Sequence, residues 1–294
     1  MSKQIVIIGM GRIGNAMRYL MKPELCVECF DTMPGVVQNQ KKLEDSIPVA
    51  DVVFLCIPSW AMRDCLLQIK SFVSPKTVFI SVSKGIEVES QKTMEQVMEE
   101  SLPLGQPFGV LIGPMMAEEL LKDLGGAGVI ASVHREVFDR SRAVLRPELF
   151  LHYSDDVHGV ALAGVLKNIY ALGLGIADAL AWGQNKKGWF VSQAAIEMVS
   201  MMKELGGRKS TVIGPAGLGD LVATGFSCYS ANRGIGEAIV KEIACEKQSG
   251  GKVSILPLMG LLGARAQAYP LLCVLDRIVN KGASAKEEYE TFFS

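Results

Sequence analysis

Lys167 is the residue best placed to do chemistry. It stands in Gly164-Val165-Leu166-Lys167-Asn168-Ile169-Tyr170-Ala171-Leu172-Gly173, an otherwise apolar stretch. A lysine is almost never fully buried unless it is paired, because removing a bare charge from water is costly. Burial in a helix of this kind would depress its pKa and make it a proton donor or acceptor near neutral pH. The competing reading is a lysine that snorkels from a partly exposed helix. Two segments offer partners. Lys84, in Ser83-Lys84-Gly85, follows the apolar run Thr77–Val82 and stands at a strand's carboxyl end. In doubly wound sheets that edge faces the ligand crevice. Asp220 ends Gly217-Leu218-Gly219-Asp220 and either caps the following helix or pairs with a lysine.

A second constellation suits a dinucleotide. Gly9-Met10-Gly11-Arg12-Ile13-Gly14 fits G-x-G-x-x-G, follows a strand and opens a helix. Its glycines let the backbone approach a pyrophosphate, and the helix N-terminus offers unsatisfied N–H donors. Asp31 ends the second strand, where a carboxylate accepts hydrogen bonds from the adenosine ribose hydroxyls. A carboxylate there would also repel a 2′-phosphate, so NAD is expected in preference to NADP.

These residues need a framework. Gln4–Gly9, Leu25–Asp31, Asp51–Ile57, Thr77–Val82, Gly109–Ile112 and Gly128–Ala131 are apolar runs with helical patterns between them. Such alternation predicts an α/β Rossmann domain, a doubly wound parallel sheet covered on both faces. After about Tyr153 the strands stop. Val157–Trp182, Ser192–Leu205, Asn232–Cys245 and Gly260–Asn280 read as helices. The spacing predicts an NAD-binding domain over 1–154 and an all-helical substrate domain over 155–294.

The chain as a whole narrows the function classes. It has 294 residues, a formal net charge of −1 and 49% hydrophobic residues, enough for two cores and too neutral for a standing nucleic-acid or anionic-membrane partner. Cys26, Cys29, Cys56, Cys65, Cys228, Cys245 and Cys273 are odd in number and mostly in apolar stretches. Reduced, buried thiols are expected, with no disulfide framework. Cys26 and Cys29 form a C-x-x-C without a second pair or ligand histidines nearby, so no metal site is expected. The chain enters a strand directly after Met1-Ser2-Lys3-Gln4, which predicts no signal peptide. Val157–Trp182 is long enough to span a bilayer, but it carries Lys167, Asn168 and Asp178. A charge at the bilayer centre costs about 2.5 kcal/mol or more. A buried helix of a cytoplasmic protein is expected instead.

Taken together the segments resemble the NAD-dependent glycerol-3-phosphate dehydrogenase family, from Gly9 to about Phe292. The resemblance is carried by GMGRIG at 9–14, CIPSWAMR at 56–63, SVSKGIE at 81–87 and GPMMAEEL at 113–120. It continues in GVLKNIYALGLGIADAL at 164–180, GQNKKG at 183–188 and GLGDLVATGFSCYSANRGIGEA at 217–238. The resemblance implies a Rossmann domain joined to a helical domain, interconversion of glycerol 3-phosphate and dihydroxyacetone phosphate, and a homodimer. It also implies roles. Lys167 would be the acid/base for the C2 oxygen, Lys84 a second active-site lysine, and Asp220 the acid that pairs with them. Asn168, Thr224 and Asn232 would contact substrate, and Pro58 and Ser59 would pass over the nicotinamide half of the cofactor.

The chain departs from the family where the substrate phosphate would sit. Members usually read Ser-Arg-Asn-Arg where this chain has Ser230-Ala231-Asn232-Arg233, so the phosphate arginine is Ala231 here. The loop at 184–187 is Gln-Asn-Lys-Lys in place of Asp-Asn-Thr-Lys, and the segment around Ile255-Leu256-Pro257 is apolar. Three readings follow. The phosphate is held by Arg233, Lys186, Lys187 and the helix N-terminus near Asn232. Alternatively the chain reduces another small ketone, or it binds NAD as a sensor without turnover.

Overall fold

The computed structural model describes residues 3–243 and 248–293. The chain packs as two compact units, Met1–Lys84 with Thr93–Ala161, and Gly85–Lys92 with Leu162–Ser294.

The first unit is built on seven strands: β1 (Gln4–Ile8), β2 (Cys26–Phe30), β3 (Val52–Leu55), β4 (Val78–Ser81), β5 (Phe108–Ile112), β6 (Gly126–Ala131) and β7 (Leu149–Ser154). Their order is β2-β1-β3-β4-β5-β6-β7. Between them run α1 (Arg12–Tyr19), α2 (Leu43–Ser46), α3 (Met62–Ile69), α4 (Met94–Ser101), α5 (Ala117–Leu120) and α6 (Arg135–Val144). This is the Rossmann, doubly wound arrangement. From β1 the order runs outward to β2 on one side and to β3 on the other, so the switch point lies between β1 and β3.

Successive residues of β1 serve opposite faces. Ile5 and Ile7 join Met17 of α1, Leu120 of α5 and Phe138 of α6 in one core. Val6 and Ile8 join Leu66 of α3 and Val97 of α4 in the other. Each fully buried aliphatic side chain contributes about 1.5–3 kcal/mol.

Two features correct the sequence reading. All neighbouring strands pair in parallel except β5 and β6, which are antiparallel. A parallel crossover needs a helix that lies back along the sheet. The four residues of α5 reach only about 6 Å, against about 20 Å for a six-residue strand. The seventh strand, β7, was not expected at all. It is an edge strand in which Leu149 is buried while Phe150 and His152 are exposed. That alternation, without a long apolar run, hides it.

The second unit is helical: α7 (Val157–Ala179, its first turn belonging to the first unit), α8 (Gln184–Glu204), α9 (Lys209–Ile213), α10 (Asp220–Phe226), α11 (Ala231–Val240), α12 (Gly250–Leu262), α13 (Pro270–Lys281) and α14 (Ala285–Phe292). Every residue from Val160 to Ala177 is buried, so the long apolar segment is a core helix. The expected loop at 184–187 is the first turn of α8. The single helix expected over Gly260–Asn280 is two, broken where Gly263 takes φ +57° and Pro270 opens α13. Pro257 lies inside α12, and with Gly250 and Gly251 it disguised that helix. Cys245, and with it the end of the helix expected over Asn232–Cys245, lies outside the described residues.

One buried carboxylate ties three of these helices. Glu197 of α8 accepts the Tyr170 hydroxyl at 2.7 Å and the N–H groups of Leu271 and Leu272 at 2.7 and 3.1 Å. It thus caps α13 from outside. Burial pushes its pKa up, against these three donors.

The described cysteines are all free thiols. Cys56 and Cys273 are buried, but Cys26 and Cys228 are exposed, which corrects the expectation of uniformly buried thiols.

Candidate active site

In the first unit, the turn after β1 has the shape of a phosphate cradle. Gly9 takes φ +93°, a conformation that L side chains rarely adopt. A Cβ on Gly14 would stand 1.9 Å from the Gly9 carbonyl oxygen, so only glycine fits there. At Gly11, by contrast, a Cβ would meet nothing within 4 Å. The backbone is therefore open on that side, where α1 begins with no acidic residue in its first turn. Exposed amides and the positive end of the helix dipole suit a pyrophosphate. Arg12 pairs with Glu118, and Ile13 packs on the core below.

Asp31 follows β2 and is half-buried. Its Oδ2 accepts the Met10 N–H at 2.7 Å and its Oδ1 accepts the Met33 N–H at 2.9 Å. The carboxylate thus anchors the glycine turn. Each oxygen keeps a lone pair for a ribose hydroxyl. Pro58 and Ser59 follow β3, Pro58 exposed and Ser59 buried, on the other side of the switch point. Lys84 follows β4 and is half-buried, its ammonium 3.5 Å from the Gly113 carbonyl oxygen. These residues fit a dinucleotide.

In the second unit, Lys167 is 3% exposed. It is paired and does not snorkel. Its ammonium donates to Asp220 Oδ1 at 3.0 Å and to Thr224 Oγ1 at 2.7 Å. Thr224 donates in turn to the same Asp220 oxygen at 3.0 Å. The three groups close a buried triangle, because Asp220 and Thr224 are one turn apart on α10. Asp220 is therefore a lysine partner, and α10 begins without a side-chain cap. A five-residue π-helical turn, Pro215–Gly219, leads into α10 and sets its first residue against α7. Such turns are rare and recur at functional sites.

Asn168, beside Lys167, is also buried. Its Oδ1 accepts the Asn232 amide at 2.9 Å, and Asn232 Oδ1 accepts the Gly251 N–H at 2.8 Å. This chain of bonds brings the first turns of α11 and α12 to the middle of α7, beside Lys167. Ala231 is exposed at the first position of α11.

The three cations proposed from sequence for the phosphate do not join this cluster. Asp178 receives Arg233 Nε on Oδ2 and Lys187 on Oδ1, both at 2.7 Å, and Arg233 also pairs with Glu237 at 2.8 Å. Burial raises the pKa of Asp178, but the hydrogen bonds from Lys187 and Arg233 outweigh it and hold the carboxyl below its ordinary range. Asp178 lies three turns beyond Lys167 on α7, about 16 Å along the axis. A three-carbon phosphate is far shorter than that. Lys186 is exposed, 5.3 Å from the Trp182 ring. The structure thus gathers Arg233 and Lys187 at Asp178 and leaves Lys186 on the surface, and it brings none of the three to Lys167. Asp178 itself was missed as their partner, although its spacing of three turns from Lys167 places it on the same helix face.

Residues 30–138 match the family described as NAD-dependent glycerol-3-phosphate dehydrogenase N-terminus, and residues 156–290 match the corresponding C-terminus. The chain is 36% identical over 209 residues to an NAD(P)+ glycerol-3-phosphate dehydrogenase of Chlorobium limicola, covering 70% of this chain and 63% of that one. A Mycobacterium bovis protein of the same name is 32% identical over 248 residues, covering 82% of this chain and 72% of that one. The crystal structure of glycerol-3-phosphate dehydrogenase from Coxiella burnetii superposes with a TM-score of 0.87 at 23% identity, over 100% of this chain and 99% of that one. That last likeness is one of fold.

Proposed function

From the chain's membership of the NAD-dependent glycerol-3-phosphate dehydrogenase family, we propose that it interconverts dihydroxyacetone phosphate and sn-glycerol 3-phosphate. The observation that carries this reading is the buried Lys167–Asp220–Thr224 triangle. Reducing a ketone needs a hydride on carbon and a proton on the oxygen that becomes the alcohol. NADH supplies the hydride when bound. Lys167 gives the proton to the C2 oxygen and takes it back in the reverse reaction. Asp220 holds the ammonium in place, and Thr224 fixes its direction. Asn168 and Asn232 position the substrate, and Lys84 matches the second active-site lysine that the family resemblance implies. Residues 1–154 carry the dinucleotide and 155–294 the acid/base group. We read the protein as a cytoplasmic homodimer that serves glycerophospholipid and carbohydrate metabolism.

The direct test is NADH oxidation with dihydroxyacetone phosphate beside unphosphorylated dihydroxyacetone. Saturable NADH binding without turnover of either ketone would refute the enzyme and favour a sensor.

Asp31 sets the cofactor preference. A 2′-phosphate would meet the carboxylate that already anchors Met10 and Met33. The expected result is a kcat/KM at least about tenfold higher for NADH than for NADPH, the scale of one like-charge contact. A preference for NADPH would show that Asp31 does not meet the ribose.

Ala231→Arg should tighten the phosphorylated substrate. The position is exposed at the start of α11, so a guanidinium has room. A charge-assisted hydrogen bond is worth roughly 1.5–3 kcal/mol, so KM for dihydroxyacetone phosphate should fall about tenfold. An unchanged KM would mean that the phosphate is bound elsewhere.

A further inference from the structure

We propose that Lys252 is the cation that binds the substrate phosphate in this chain and so sets its preference for a phosphorylated ketone. The inference rests on the dehydrogenase reading above. A phosphate dianion held beside Lys167 needs positive charge nearby. Arg233 and Lys187 pair with Asp178, three turns beyond Lys167 on α7, Arg233 pairs also with Glu237, and Ala231 offers no charge.

Lys252 stands where that charge is needed. It is the third residue of α12, directly after Gly251, whose N–H is bonded to Asn232. Asn232 is in turn bonded to Asn168, the neighbour of Lys167. Lys252 is half-buried, and its ammonium has no ion-pair or hydrogen-bond partner among the described residues. Its position also runs against the helix dipole, which disfavours a cation in the first turn. No acidic residue in that turn offsets it. A local rule broken without compensation marks a residue kept for something other than folding.

A second observation points to a ligand at the same place. Asn168 is 5% exposed, and its Nδ2 has no partner among the described residues, although its Oδ1 is bonded to Asn232. The Nδ2 atom is not among the fully enclosed polar atoms, so this donor is open to a ligand. A phosphate oxygen between Asn168 and Lys252 would satisfy both. Side chains in a helix lean toward its N-terminus, which carries the Lys252 ammonium toward the ends of α11 and α12 that meet at Asn232.

The experiment compares the parent with Lys252→Ala and Lys252→Arg, with Lys203→Ala as a control for net charge. Lys203 is exposed in the last turn of α8. Steady-state kinetics are read with dihydroxyacetone phosphate and with unphosphorylated dihydroxyacetone, and inorganic phosphate is used as a competitive inhibitor. In Lys252→Ala, KM for the phosphorylated ketone and Ki for phosphate should each rise about tenfold or more. The kcat, and kcat/KM for dihydroxyacetone, should stay within about twofold. Lys252→Arg should retain most of the affinity, and Lys203→Ala all of it. If the parent reduces dihydroxyacetone phosphate but Lys252→Ala has an unchanged KM, or loses both ketones equally, this inference is wrong and the dehydrogenase reading stands. If the parent reduces only the unphosphorylated ketone, both fall together.

Discussion

Replacing Lys167 with alanine should lower kcat by about 10² to 10⁴ while NADH binding persists. The substitution removes the buried lysine that contacts both Asp220 and Thr224. It lies in the unit that does not hold the glycine turn. It also strands Asp220, which is 1% exposed. Breaking one side of a buried ion pair typically costs 3–5 kcal/mol, so the variant should melt at a lower temperature. The double variant Lys167→Met with Asp220→Asn removes both charges and should recover much of that stability. Its turnover should stay as low as that of the single variant. If either protein is folded and keeps most of the parent's activity, Lys167 is not the acid/base group.

The second large effect separates fold from cofactor within one turn. Gly14→Ala puts a Cβ at 1.9 Å from the Gly9 carbonyl oxygen. The backbone must move, so the melting temperature should fall and NADH binding with it. Gly11→Ala meets nothing within 4 Å and requires no unusual φ. Its stability should match the parent's, yet its methyl would occupy the open side of the turn. NADH affinity should drop by about two orders of magnitude, since displacing a pyrophosphate by one bond length forfeits several charge-assisted contacts. Fluorescence titration of NADH beside thermal melting gives both readouts. Unchanged affinity in Gly11→Ala would place the pyrophosphate elsewhere.

The sequence showed most clearly what repeats or stands out against its surroundings. The strands of the parallel core are nearly continuous apolar runs, and Gly9–Gly14 has a spacing that few other turns share. Lys167 was visible because it interrupts a long apolar helix. Its pairing with Asp220 was one of two open readings, since an aspartate before a helix is more commonly a cap. What escaped depends on contacts between distant segments. Strand β7 hides because half of its side chains face solvent. The first turn of α8 is polar, so Gln184–Lys187 reads as a loop. Arg233 and Lys187 looked available for phosphate because Asp178, their partner, is 55 residues from Arg233 in sequence. Glu197 gave no signal, as its ligands are backbone N–H groups of Leu271 and Leu272. Lys252 was overlooked because helix α12 was not recognised, and a lysine is remarkable only once it is known to occupy a first turn.

The buried helix α7 has a consequence for biosynthesis. Its apolar window has a mean hydropathy of 1.7, within the range of a membrane span. Helices α8 to α14 of its own unit all emerge from the ribosome later. For on the order of ten seconds at ordinary synthesis rates the segment is exposed without them. Lys167 and Asn168 stand near its middle, where a charge opposes transfer into a bilayer and interrupts self-association. The same ammonium that we propose as the acid in the folded protein would therefore act earlier as a gatekeeper for the nascent chain. Its loss would reduce the yield of protein as well as the turnover of what is made.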